Sequence, residues 1–192
     1  MSVTKSTKAL IGLLLAGSVG VIIFLFVHLS SDPSKPISVG SKSAAACTKG
    51  QRDCLPDVNY TDTQGKAYTP ADLAGKVVVV NFWATWCKPC QKEIPDFSKA
   101  YTKFKDKGLV MLGVMTDQPD HNQLLNFQSD YDMAYPVIRA TSDILVSYNY
   151  PDALPTTYVF DRGGKQVFSH VGPLHVEKLE AILSPLLAQT VN

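Results

Sequence analysis

The stretch Trp86-Cys87-Lys88-Pro89-Cys90 constrains this chain more than any other. It follows the valines 77–80 and Asn81-Phe82-Trp83-Ala84-Thr85, and it precedes a helical pattern that starts near Gln91. A buried strand that runs into Cys-x-x-Cys at the head of a helix sets two sulfurs one helical turn apart, close enough for redox chemistry. Cys87 falls where orphan backbone N–H groups and the positive end of the helix dipole favour a thiolate, and Lys88 adds a positive charge beside it. Cys87, rather than Cys90, is therefore expected to be the exposed sulfur that attacks first. Cys90, one turn further in, is placed to resolve a mixed disulfide on Cys87. The competing reading is half of a zinc site. Zinc needs two more ligands, and the other cysteines, Cys47 and Cys54, have a spacing outside the usual finger range.

A length of 192 residues allows one medium domain and a short appendage, and an apolar content of 45% supports a core. Eighteen basic residues face 17 acidic ones with no basic tract, which leaves nothing to recruit nucleic acid. Residues 9–29 are apolar or small apart from His28 near the end, and at about 1.5 Å per residue they span about 30 Å of hydrocarbon. The run is long for a signal-peptide core, and no small-x-small site follows it closely. Ala44-Ala45-Ala46-Cys47 only faintly resembles a lipoprotein cleavage site and lies beyond a polar stretch. The sequence thus reads as a cytoplasmic N-terminus (1–8), an uncleaved transmembrane anchor (9–29), a flexible stalk (30–46) stiffened by Pro33 and Pro36, and a globular domain (47–192). Lys5 and Lys8 precede the span, whereas Asp32 follows it directly and Lys35 and Lys42 come later, which favours an extracytoplasmic domain. A local Cys47–Cys54 disulfide, persistent only in an oxidising compartment, fits that side.

Within the domain, 58–61 and 66–68 flank Asp62-Thr63-Gln64-Gly65 as a hairpin. Thr69-Pro70-Ala71-Asp72-Leu73 reads as a capped short helix. Residues 77–83 and 109–115 read as buried strands, and 91–107 as a helix kinked at Pro95. Residues 121–129 and 142–148 are helical, 156–160 and 165–170 form a hairpin around Arg162-Gly163-Gly164, and 175–188 is an amphipathic helix disturbed at Pro185. Strands alternating with helices before a final hairpin give an α/β fold with a mixed sheet.

The run 81–90, its continuation Gln91-Lys92-Glu93-Ile94-Pro95, Leu154-Pro155-Thr156-Thr157 and the turn Asp161-Arg162-Gly163-Gly164-Lys165 resemble the membrane-anchored, thioredoxin-like thiol-disulfide oxidoreductases of the TlpA, ResA and CcmG type. The resemblance covers about 57–187. It implies a thioredoxin fold, a mixed central sheet flanked by helices, with an added N-terminal β-hairpin and a central βα insertion. It implies a cis-proline at Pro155 beside the cysteines and a site on a bacterial inner membrane, facing the periplasm. Thioredoxins carry a buried Asp where this chain has Asn81, and Glu93 matches the acid this branch carries after its second cysteine. Proton handling is therefore expected at Glu93, one turn from Cys90. An ordinary Glu favoured by a helix N-terminus is the alternative. Trp83, Trp86, Lys88, Pro89 and Leu154 are assigned to the rim of the site. His28, His121, His170 and His175 show no ligand spacing, and no metal or cofactor is expected.

Cys47 and Cys54 lie outside the resemblance and read as a structural staple, with an electron relay or an intermolecular bond as alternatives. They are not a haem attachment site, because Cys-x-x-Cys-His is absent. The functional expectation is a monomeric, membrane-tethered reductase of substrate-protein disulfides. The resemblance offers apocytochrome c or a copper-delivery protein as substrate, and a membrane thiol donor as the source of electrons. Running the chemistry backwards gives an oxidase or isomerase. A copper-binding module on the same fold would need Cys-x-x-x-Cys and a distant His, and a peroxidase would need a lone attacking cysteine.

Overall fold

The computed structural model describes Phe24, Cys47 and residues 53–189. The expectations for 1–8, 9–29 and 30–46 fall outside the described residues apart from Phe24, which is helical. Among the described residues no helix is long and apolar enough to cross a membrane.

The unit that begins at Ala44 carries, in chain order, β1 (Tyr60–Thr61), β2 (Ala67–Tyr68), α1 (Pro70–Leu73), β3 (Val77–Trp83), α2 (Lys88–Phe104), a 3-10 turn (Lys105–Lys107), β4 (Leu109–Met115), α3 (His121–Asp130), β5 (Val137–Arg139), α4 (Ser142–Ser147), β6 (Thr156–Phe160), β7 (Gln166–Val171) and α5 (Val176–Ala188). β1 and β2 form a small hairpin, and the other strands form one sheet in the order β5-β4-β3-β6-β7. β3 runs parallel to β4 and antiparallel to β6. β5 is parallel to β4, and β7 antiparallel to β6. This is the mixed sheet that the resemblance implies.

β3 is buried along its whole length because it is the central strand and both faces are covered. Its side chains alternate. Val78, Val80 and Phe82 pack with Tyr60, Leu73, Ile144 and Tyr148 on one face. Val77 and Val79 pack with Phe97 and Ala100 of α2 and Leu179 and Leu183 of α5 on the other. The same parity sends Asn81 and Trp83 to the α2 side. The end of β3 remote from the motif is tied by Arg162, which donates from Nη1 to Gly75 O (2.9 Å) and from Nη2 to Lys107 O (3.2 Å) and Leu187 O (3.2 Å). Gly108 (φ +93°) makes room, since a Cβ there would sit 2.9 Å from Arg162 Nη1.

Several boundaries move. The helix expected from Gln91 starts at Lys88, because Cys87 is the N-cap and Pro occupies the first turn. It is continuous across Pro95 and ends at Phe104, and residues 105–107 tighten into the 3-10 turn. β5 has three residues at the sheet edge, and no strand was assigned to 137–139 from the residues themselves. α3 and then β5 lie between β4 and α4, a helix-then-strand order at the place where the resemblance implies a central βα insertion.

Candidate active site

β3 delivers the chain to the cysteines, and the loop between β3 and α2 is pinned from the end of β4. Thr116 donates to Trp83 O from its amide (2.9 Å) and its hydroxyl (3.2 Å). The Asp117 carboxylate accepts from Thr85 N (3.1 Å) and closely from the Thr85 hydroxyl. Gln91 Nε2 donates to Thr85 O (2.6 Å), which closes the loop onto the first turn of α2. Cys87 N donates to Ala84 O (3.1 Å). Thr85 and Gln91 lie in the motif runs but were given no role from the sequence, and Thr116 and Asp117 were not singled out. Thr-Asp after a strand is a turn signal, but its partner lies 32 residues away.

Cys87 and Cys90 are joined as a disulfide. Cys87 Sγ is the N-cap acceptor of α2, receiving Cys90 N–H at 3.2 Å. Cys87 is only 3% exposed in this form and Cys90 is fully buried. Cys87 is thus closed off in the disulfide form, with Leu154 packed against the cluster that holds both sulfurs, whereas the exposure expected of Cys87 is that of the attacking thiol in the reduced form. The assignment of Trp83 is corrected. Strand parity places it wholly in the core, stacked on Phe127 (5.3 Å), and not on the rim. Trp86 does stand at the rim, 68% exposed, and Lys88 is exposed with Nζ on Gln91 Oε1 (3.2 Å). Pro89 lies in the first turn of α2, next to Cys90. The Leu154–Pro155 peptide is cis, and Pro155 O accepts from Gly172 N (2.8 Å).

Glu93 is 1% exposed and lies one turn beyond Cys90. It is not a solvated helix-terminal charge. Asn81 Nδ2 donates to its Oε1 (2.8 Å) and Leu174 N donates to its Oε2 (2.9 Å). Asn81 Nδ2 also reaches Thr157 Oγ1 (3.1 Å). Burial disfavours the anion more than these bonds support it, so the carboxyl is pushed up to about 7. A group poised there accepts and returns a proton near neutral pH.

The second pair, Cys47–Cys54, is also a disulfide. Cys54 bridges to Lys165 in the β6–β7 turn, at the far end of β7 from Gly172 and Pro155. Among the described residues no group of three His, Cys, Asp or Glu side chains is arranged to hold a metal ion.

Comparison with known proteins agrees with this geometry. Residues 52–167 match the AhpC/TSA family. The chain is 33% identical over 180 residues to the thiol-disulfide oxidoreductase ResA of Bacillus cereus, covering 93% of this chain and 94% of that one. It is 32% identical to the thioredoxin-like protein YneN of Bacillus subtilis over 73% of this chain and 81% of the other. A crystal structure of a thioredoxin-family thiol:disulfide interchange protein from Chlorobium tepidum superposes with a TM-score of 0.65 at 26% identity, over 73% of this chain and 100% of that one. The Cys87–Cys90 pair at the capped N-terminus of α2 and these likenesses agree: the chain belongs to the AhpC/TSA family and to the ResA-type thiol-disulfide oxidoreductases, enzymes with a thioredoxin fold.

Proposed function

We propose that this enzyme works as a reductase of protein disulfides, tethered by residues 9–29 to a bacterial cytoplasmic membrane with its domain on the extracytoplasmic side. The observation that carries the reading is the pairing of an N-cap sulfur on Cys87 with a buried, near-neutral acid at Glu93. In the reduced enzyme the Cys87 thiolate attacks one sulfur of a substrate disulfide. A mixed disulfide forms and one substrate thiolate leaves. Glu93 then takes the proton of the Cys90 thiol, and Cys90 attacks Cys87 Sγ. The second substrate thiolate leaves and Cys87–Cys90 is oxidised, so two electrons have passed to the substrate. A membrane dithiol donor restores the pair by the same exchange in reverse. Trp86 and Leu154 offer the substrate an apolar margin.

The apolar run 9–29, the lysines ahead of it and a likeness to ResA that extends over 93% of the chain support the tethered reading. The Cys47–Cys54 bridge fits an oxidising compartment. Apocytochrome c or a copper-delivery protein remains the proposed substrate, with the enzyme acting as a monomer. The test has two parts. Cys90→Ser should accumulate mixed disulfides with substrate and Cys87→Ser should not. Equilibration with glutathione buffers should give a potential nearer thioredoxin, about −270 mV, than DsbA, about −120 mV. A value at the DsbA end would reverse the direction to oxidation.

A further inference from the structure

Among the described residues, three polar atoms lie buried without a hydrogen-bond partner on the α2 side of the sheet: Asn81 Oδ1, Trp83 Nε1 and Tyr135 Oη. Their residues are 1%, 0% and 2% exposed. Such atoms are costly to bury unpaired, and each calls for an explanation. They also belong to one place. Asn81 and Trp83 are two apart on β3 and so share a face, and Asn81 sits directly across from Gly113 of β4. A Cβ built on Gly113 would lie 3.1 Å from Trp83 Nε1 and 2.7 Å from Tyr135 Cε2. Glycine at this position lets the indole N–H and the phenol ring close in beside Asn81. Tyr135 also feels Glu93, since its hydroxyl is raised well above the usual phenol range by burial first and by the Glu93 charge second.

The three atoms are chemically complementary. Trp83 Nε1–H only donates, Asn81 Oδ1 only accepts, and the Tyr135 hydroxyl does either. A single water that accepts from Trp83 Nε1–H and donates to Asn81 Oδ1 has a bond left for the Tyr135 hydroxyl, and three bonds is the usual number for an internal water. We propose that Asn81, Trp83 and Tyr135 share one internal water, and that through it Trp83 and Tyr135 are positioning residues for Glu93. The link is Asn81. A bond donated to its Oδ1 polarises the amide and strengthens the Nδ2–H bonds that it gives to Glu93 Oε1 and Thr157 Oγ1. It also fixes which way the amide faces. The groups that act on the carboxyl are then Asn81 from β3, itself bonded to Thr157 of β6, the Leu174 amide ahead of α5, and Tyr135 ahead of β5, with Cys90 one turn earlier on the same helix. Asp96, one turn on, is occupied by Lys99 and His175.

The functional half of this inference rests on the proposed role of Glu93, and the experiment separates the two. The full chain is studied in detergent in its disulfide form, where the active-site cysteines do not titrate. Water contacts are read by nuclear Overhauser transfer at the Trp83 indole N–H in wild type and Tyr135→Phe, and Glu93 is titrated by its carboxyl carbon shift in these two and in Trp83→Phe. Wild type should show a long-lived water at the indole, lost or shortened in residence in Tyr135→Phe. Both variants should raise the Glu93 midpoint by about 0.3 of a pH unit, near a twofold change in proton affinity. No long-lived water at the indole, or an unmoved midpoint in Tyr135→Phe, overturns the inference. If Trp83→Phe does not fold, Tyr135→Phe alone decides, because it removes one oxygen and keeps the ring. A water and a shifted midpoint, with a turnover pH profile that stays put, uphold the hydration site and remove Glu93 from turnover instead.

Discussion

Replacing Glu93 by Gln should abolish a pH dependence of stability that the wild type carries between about pH 4.5 and pH 7. The carboxyl has an ordinary value of 4.5 and is pushed up to about 7 in the folded chain, chiefly by burial. The folded state therefore binds a proton that the unfolded state has already released in that window. Stability is fully present below about 4.5 and falls as pH rises to about 7, beyond which this group adds no further slope. A displacement of roughly 2.5 units at about 1.36 kcal/mol each amounts to about 3 kcal/mol. Gln cannot titrate. Its carbonyl can still accept from Asn81, but its amide faces the Leu174 N–H, a donor against a donor. That mismatch costs about 1–3 kcal/mol at every pH and displaces the curve without tilting it. The assay is urea unfolding of the disulfide form from pH 4 to 8 for both proteins, followed by subtraction. Asp96 and His175 are common to the two and drop out of the difference. Parallel curves across the window would refute the placement of a buried titrating carboxyl at this position.

Other consequences can be checked alongside. Replacing both Cys47 and Cys54 by Ser should lower stability by at most about 2.5 kcal/mol, the loop-closure value for so short a ring, and leave turnover unchanged. A large loss of turnover in a folded variant would make the pair an electron relay. Asp117→Ala strips the acceptor from both Thr85 donors. It should slow Cys87 alkylation in the reduced enzyme about tenfold through misplacement of the loop, with partial recovery in Asp117→Asn. Arg162→Ala should cost about 2–4 kcal/mol in urea unfolding, since three carbonyls lose their donor, without touching the pH profile of the cysteines.

The parts of this fold that the sequence made legible are those under the tightest physical constraint. β3 and β4 match their expected bounds residue for residue because a strand covered on both faces has no choice but a continuous apolar run. β6 does the same beside them. β5 hid because three residues, Val-Ile-Arg after Pro136, are too few to show a period. The cysteine pair was placed at the head of a helix, but the bound of α2 was set late, at Gln91, because its cap is a cysteine, a residue type outside the usual capping set. At the site, Cys87, Cys90 and Pro155 could be found from local spacing and resemblance. The network could not. Glu93 meets the Leu174 amide across 81 residues, and Thr85 meets Asp117 across 32. Trp83 was misassigned for a related reason, since its place depends on which face of β3 α2 covers.

The segment between β7 and α5 touches the site twice with backbone alone. Gly172 N–H reaches the carbonyl of the cis-proline, and Leu174 N–H reaches the carboxyl of Glu93. For spectroscopy this makes two amides, two residues apart, into separate native reporters. The Leu174 resonance follows the charge state of the acid, because an amide proton bonded to a carboxylate is deshielded relative to one bonded to the neutral carboxyl. The Gly172 resonance follows the Pro155 carbonyl to which it is bonded. The acid and the proline are thus readable on separate channels, with no dye, tag or thiol label on the protein.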